Sequence, residues 1–376
     1  MGGHCSPRSA GVPVFAVAFR LANWEVQMRR TACVCAAVMS WAVANSPVAT
    51  TQEQAGLVRV TPLGSHPGEL CARDRAILFE DPTGARILYD PGFAVDETDA
   101  RLGDVHAILL SHAHNDHIGS RRDRGGTCAT PAMGPVNGNS NVASIAAAKN
   151  AGVFTANEAA AFLSGKIQSI RGSATPVCPS GGLDHQTTVP LSSACTAPVG
   201  VSGTRTIRRA GAAGVISITG VQALHPNNIS AALVDAPGLA PGTTAYAGLA
   251  LGFVVRFTNG LTAYLTGDTG VFGDMSQVIA KFYAPGLMVI NIGPGGNGPT
   301  ALGTDEAIKV VQHLVRATTV MPSHVGEQAT SGGRLQINTR TELFTRYARA
   351  FTEVVIPVSD ITLTFDGNGR CIGCPR

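Results

Sequence analysis

From residue 111 to 117 the chain reads Ser-His-Ala-His-Asn-Asp-His, which puts three imidazoles and a carboxylate within six consecutive positions, His112 to His117. Histidine is scarce in the rest of the chain, with ten in 376 residues, so such a cluster calls for a chemical reason. Neutral imidazole is a favoured ligand of zinc and its neighbours, and carboxylate suits harder or borderline ions. On a tight loop, alternate side chains point the same way. His112 and His114 can therefore converge on one ion while Asp116 and His117 face an adjacent one. Burying three histidines this close without ligands or hydrogen bonds would be costly. The bland alternative is a solvated His-rich turn.

The elements that must position these residues are strands. Ala107-Ile108-Leu109-Leu110, a continuous apolar run of the kind buried on both faces, leads straight into the His-rich loop. Upstream, Val58–Thr61, Ala76–Phe79 and Arg86–Tyr89 read as short strands, with Asp81-Pro82-Thr83-Gly84 as the turn between the last two. Residues from about 120 to 210 turn rich in Gly, Ala, Ser, Thr and Pro. They read as long loops around one helix, Ala156 to Leu163, capped by Thr155. Strand patterns return at Gly214–Ile218, Gly252–Phe257 and Leu261–Leu265, the last two joined by an Asn259-Gly260 turn. Leu287–Asn291 and Ala317–Met321 follow as buried strands, separated by a helix that Thr304 caps, with Asp305 and Glu306 in its first turn, running to about Val315. Strands first and then mixed strands and helices point to an α/β (α+β) fold, two sheets packed together with helices outside.

The H-x-H-x-D-H pattern resembles the signature of the metallo-β-lactamase superfamily. The resemblance implies a four-layer αβ/βα sandwich of two mixed sheets with the site at its rim, covering residues 55–368 with an insertion at about 120–210. It implies His112, His114 and a later histidine on one ion, with Asp116, His117 and a last histidine on a second, and a bridging aspartate between them. The candidates occur in that order: His225 in Leu224-His225-Pro226, Asp268 in Gly267-Asp268-Thr269-Gly270, and His324 in Pro322-Ser323-His324. Within the superfamily, the Gly252–Met275 run and Asn291-Ile292-Gly293 resemble the ascorbate-phosphate-lactonase-like branch of metal-dependent hydrolases. Asp90, in Tyr89-Asp90-Pro91-Gly92, resembles a residue that orients a metal-bound histidine, and reads equally well as a turn former. His66 matches a family position near the site; His106, His185 and His313 read as structural or exposed.

The implied chemistry is hydrolysis. Two divalent ions, zinc by default and manganese or iron as alternatives, lower the pKa of a shared water, which then attacks an ester or lactone, amide or phosphodiester. Asp116 and Asp268 offset the positive charge, and either can orient that water or pass a proton. An iron-dependent oxidoreductase on the same scaffold is a second reading, and a non-catalytic metal-binding protein a third. No G-x-S-x-G elbow occurs, so a serine nucleophile is not indicated.

Composition agrees with a folded small-molecule enzyme. The chain is 44% hydrophobic and only 14% charged, and its +3 net charge comes without a dense Lys/Arg run, so nucleic acid is not an expected partner. Met28-Arg29-Arg30, an apolar stretch to Val43 and the small residues Ala42-Val43-Ala44 read as a signal peptide over 28–44, cleaved after Ala44. Residues 1–27 then read as an extension from a misplaced start. The apolar run is too short for a stable membrane span, so a tethering helix is the lesser alternative and a secreted or periplasmic location the expectation. The six cysteines beyond the leader suit disulfides. Proximity pairs Cys178 with Cys195 and, in the tail 369–376, Cys371 with Cys374, leaving Cys71 for Cys128.

Overall fold

A computed structural model describes residues 56–182, 184–231, 233–234, 243–293 and 301–375. The leader read at 28–44 and the extension at 1–27 lie outside the described residues. Two large sheets dominate. The first has seven strands in the order Leu363–Phe365, Val58–Pro62, Ile77–Glu80, Arg86–Tyr89, Ala107–Leu109, Gly152–Thr155, Cys195–Pro198. The second has eight: Glu353–Val354, Thr319–Ser323, Leu287–Asn291, Thr262–Leu265, Leu251–Arg256, Ile216–Gln222, Thr204–Arg209, Gln186–Val189.

Strand alternation explains the layering. In the second sheet Phe253, Val255, Ala263, Leu265, Leu287 and Val289 share one core with Ile87, Leu88 and Ile108 of the first. Their neighbours Val254, Tyr264, Met288 and Val320 face the other way, onto Met275, Ile279, Val310 and Phe344. Those partners lie on helices Met275–Tyr283, the stretch Thr304–Leu314 and helix Arg340–Ala348. The result is the αβ/βα sandwich of the metallo-β-lactamase fold.

Both sheets have parallel centres. Arg86–Tyr89, Ala107–Leu109 and Gly152–Thr155 run parallel, as do Thr262–Leu265, Leu287–Asn291 and Thr319–Ser323. Parallel strands deliver their carboxyl ends to a common edge, where ligand sites in open α/β sheets gather. The two edges touch at Tyr89, whose hydroxyl accepts from Gly267 N (3.0 Å), and at Ser111, whose carbonyl accepts from Leu251 N (2.9 Å).

Three readings need correction. The segment from 120 to 210 is woven into the sandwich instead of forming long loops. It supplies helix Asn141–Lys149, two strands of the first sheet and the edge strand Gln186–Val189 of the second. Its helix starts where Ser140 accepts from Ala143 N, and its small residues suit close packing more than they signal a period. The expected helix at Ala156–Leu163 spans Asn157–Arg171, with Ala156 and not Thr155 at the cap position. The later helix begins at Thr304 with Gly303 in the cap position, and winds wider from Val310 to Leu314. Among the described residues Cys71–Cys128, Cys178–Cys195 and Cys371–Cys374 are disulfides, the pairing that proximity suggested.

Candidate metal centre

Strand ends place each candidate. Ala107–Leu109 ends just before Ser111-His112, the short helix Asn115–Ile118 carries Asp116 and His117, and Ile216–Gln222 leads to His225. Thr262–Leu265 leads to Asp268 and Thr319–Ser323 to His324. All seven residues come together. His114 Nδ1 lies 3.0 Å from His112 Nε2 and 3.1 Å from His225 Nε2, so three ring nitrogens crowd a single point. Beside them, Asp116 Oδ2 lies 3.8 Å from His117 Nε2 and 3.4 Å from His324 Nε2. Asp268 Oδ2 sits between the groups, 3.0 Å from His324 Nε2, 3.5 Å from His117 Nε2 and 3.9 Å from His225 Nε2. Three overlapping trios, His112/His114/His225, His112/His117/Asp268 and Asp116/His117/His324, each have the donor set and spacing to hold a metal ion.

The outer hydrogen bonds fix which way the rings present their lone pairs. Asp90 Oδ2 accepts from His117 Nδ1 (2.8 Å) and from Ser111 Oγ (2.7 Å), and Asp90 Oδ1 accepts from Ser111 N (2.8 Å). Because the Ser111 hydroxyl donates to Asp90, it accepts from His112 Nδ1 at 3.0 Å. Both rings are therefore Nδ1-protonated on the outer side and turn their Nε2 atoms inward. Asp90 thus hydrogen-bonds both His117 and Ser111, and its own φ is +36°. His66 does not join the cluster. Its Nδ1 contacts Ser65 Oγ at 3.0 Å and its Nε2 the Gly126 carbonyl at 3.4 Å.

Charge divides the site. Burial first, then the neighbouring His117, pushes His112 well below its ordinary pKa; burial and then His225 push His114 down to about 4. These rings stay neutral. At His117 burial acts in the same direction but is outweighed by Asp268, Asp116 and Asp90, which push it up to about 10. Burial would raise Asp116 and Asp268, yet both are held well below the carboxylate range. His117, His324 and Arg75 do this for Asp116, and His324 and His117 for Asp268.

Four supporting residues were given no site role by the sequence. Arg75 donates to Asp116 Oδ2 (3.1 Å). Ser111 links Asp90 to His112. Asn227 Oδ1 accepts from Ala113 N (2.8 Å) while its amide donates to Ala247 O (3.0 Å), tying the His-rich loop to the loop of His225. Gly293 leaves room for the His324 carbonyl, into which any Cβ would run, and His324 itself holds a φ of +49°. The signals were slight: Ser111 opens the His-rich run, Asn227 follows His225, and Gly293 ends the family-like Asn291-Ile292-Gly293 run.

Comparisons with known proteins point one way. A sequence profile of the metallo-β-lactamase superfamily matches residues 75–121. A UPF0173 metal-dependent hydrolase of Cupriavidus taiwanensis is 28% identical over 299 residues, 77% of this chain and 82% of its own. Another, from Rubrobacter xylanophilus, is 28% identical over 64% of this chain and 73% of its own. The solved structure of a metallo hydrolase from Ignicoccus hospitalis superposes with a TM-score of 0.51 at 18% identity, over 82% of this chain and 99% of that one.

Proposed function

We propose, on the premise that this chain is a member of the metallo-β-lactamase superfamily, that it is a dinuclear hydrolase cleaving an ester or lactone, amide or phosphodiester bond. In this reading His112, His114 and His225 hold one divalent ion, Asp116, His117 and His324 hold a second, and Asp268 is shared. The observation that carries it is the position of Asp268 Oδ2, within 4 Å of imidazole nitrogens from both groups.

The donor set fits metal. His117 Nε2 and Asp268 Oδ1 are buried without a hydrogen-bond partner among the described residues, a cost that a ligand would offset. Imidazole with carboxylate suits zinc first, and manganese or iron next. Divalent ions bound there supply a lowered water pKa and a Lewis acid for the substrate oxygen that gains charge. The chain's own residues do the rest. Asp90 and Ser111 keep the ring nitrogens aimed inward. Asp116, with its side chain 31% exposed against 4% for Asp268, lies on the open side and is placed to orient the attacking water by accepting its hydrogen bond. Asp268, ionised and enclosed, offsets charge that would otherwise accumulate in the buried cluster.

We read the chain as an exported enzyme with a small-molecule substrate. Three disulfides support an oxidising compartment, and among the described residues no helix is long and apolar enough to cross a membrane. The test is turnover of a panel of lactones, esters, amides, β-lactams and phosphodiesters, with bound metal quantified. Wild-type protein should carry two ions and lose turnover on chelation. Asp268→Ala should reduce turnover to background and lower metal content while the chain stays folded. Wild-type rates in that variant would sink the assignment, and oxygen-dependent turnover with bound iron would replace it with oxidoreductase chemistry.

A further inference from the structure

We propose that Arg75, anchored by the Cys71–Cys128 disulfide, is a positioning residue that sets the carboxylate of Asp116 and so governs the second ion; this rests on the dinuclear reading above. Asp116 is the more exposed of the two clustered carboxylates, and an exposed side chain loses rotamer freedom when it is held in one place. Arg75 does the holding. Its Nη2 donates to Asp116 Oδ2 at 3.1 Å, the same oxygen that faces His324 and His117. The guanidinium is only 6% exposed.

Arg75 is in turn fixed by its own loop. Its Nη1 donates to the carbonyls of Ala72 and Asp74, both at 3.1 Å. Those carbonyls belong to a closed turn in which Asp74 N donates to Cys71 O (3.2 Å) and Cys71 N donates to Asp74 Oδ2 (2.8 Å). Asp74 Oδ1 also accepts from Ser65 N at 2.8 Å, which binds the turn to the preceding loop. Cys71 then crosses to Cys128, between the strands Arg121–Gly126 and Pro131–Pro135 of the arm that follows Asp116. The chain before Asp116 is thus tied to it by an ion pair, and the chain after it is tied to the same loop by a covalent bond.

Charge alone predicts the opposite of positioning, which makes the inference testable. A cation beside a carboxylate ligand weakens the attraction for a metal ion, so a purely electrostatic Arg75 would make the second ion bind more tightly once removed. A positioning Arg75 gives weaker binding, because the carboxylate is no longer held for the ion; loss of such an outer contact costs about 10–100-fold in affinity. Lysine keeps the charge but not the planar fork, so it should restore little.

The experiment is calorimetric titration of metal-free protein with Zn²⁺, with stoichiometry from elemental analysis and folding followed by thermal unfolding. Wild type should bind two ions. Arg75→Gln should weaken the second by about 10–100-fold and leave the first unchanged, with Arg75→Lys close to Arg75→Gln. The Cys71→Ser/Cys128→Ser double variant should move the second ion in the same direction by a smaller factor, and it decides the matter if Arg75→Gln does not fold. Unchanged or tighter binding of the second ion overturns the inference, as does equal weakening of both ions. A wild-type protein that binds fewer than two ions overturns the dinuclear reading, and this inference with it.

Discussion

The two halves of the site are built on different principles. His112, His114 and His225 form an all-nitrogen group in which the neighbouring rings and burial keep His112 and His114 neutral, with their lone pairs ready. Asp116, His117 and His324 form a mixed group in which carboxylates and a strongly basic imidazole already satisfy one another electrostatically. The first half, with His114 and His225 partly exposed, is held by neutral contacts, such as Asn227 to the Ala113 amide. The second is partly open and held by charges, Arg75 on Asp116 and Asp90 on His117. The lesson is that a single motif of six residues feeds two donor groups whose affinity, pH response and tolerance of mutation should differ.

The strongest way to break that comparison is to delete one ligand from each half. In the dinuclear reading both ions serve one reaction centre, so His114→Ala and His324→Ala should each cut bound metal from two ions toward one and bring turnover to background. Which ion survives is the discriminating readout. With Co²⁺ as the probe, His324→Ala should keep the spectrum of a nitrogen-rich site and His114→Ala that of an oxygen-containing one. Identical spectra in the two variants would mean that the halves are not distinct.

Asp90→Asn should act more weakly and on both halves. Asp90 receives His117 directly and reaches His112 through Ser111, at 2.8 Å and 2.7 Å for its two side-chain contacts. Losing the charge while keeping the shape should weaken both ions by about 10–100-fold, the usual effect of disturbing a ligand's outer hydrogen bond. If only one ion responds, the Ser111 relay does no orienting.

How much of this could be read beforehand follows the same division. His112, His114, Asp116 and His117 fall within six consecutive positions, so their types and spacing announce them without any knowledge of the fold. His225, Asp268 and His324 are each a lone residue after a strand, and only the likeness to a superfamily pattern singled them out. Asp90 was balanced between two roles because a turn and a hydrogen bond to His117 leave the same trace in a sequence. Arg75 left none, and Ser111, Asn227 and Gly293 stood only beside a ligand or inside a family-like run with no role attached, since what matters about them is a distance across the fold. The strand Gly152–Thr155 and helix Asn141–Lys149 were missed for a related reason. The strand is buried on both faces and the helix is mostly buried and rich in alanine, so neither shows a clear polar face to set a period.

The smallest effect, and the sharpest in sign, is the response of metal-free protein to pH. His112 and His114 have folded pKa values below the ordinary 6.5, so their neutral burial stabilises the fold above that value, and this stability is lost as pH falls toward about 4 for His114. His117 is raised to about 10 by Asp268, Asp116 and Asp90 against the pull of burial. Its contribution is therefore complete below 6.5 and is lost as pH rises through about 10. Thermal unfolding of metal-free protein should consequently show two limbs, the acid one flattened in His114→Ala and the alkaline one flattened in Asp90→Asn. Ring nitrogen shifts should find His117 protonated at pH 7 and His114 neutral. The same proton must leave before an ion can take its place, so affinity for the second ion should climb with pH more steeply than affinity for the first. A neutral His117 in metal-free protein at pH 7, or parallel pH profiles for the two ions, would show that the two halves share one electrostatic character after all.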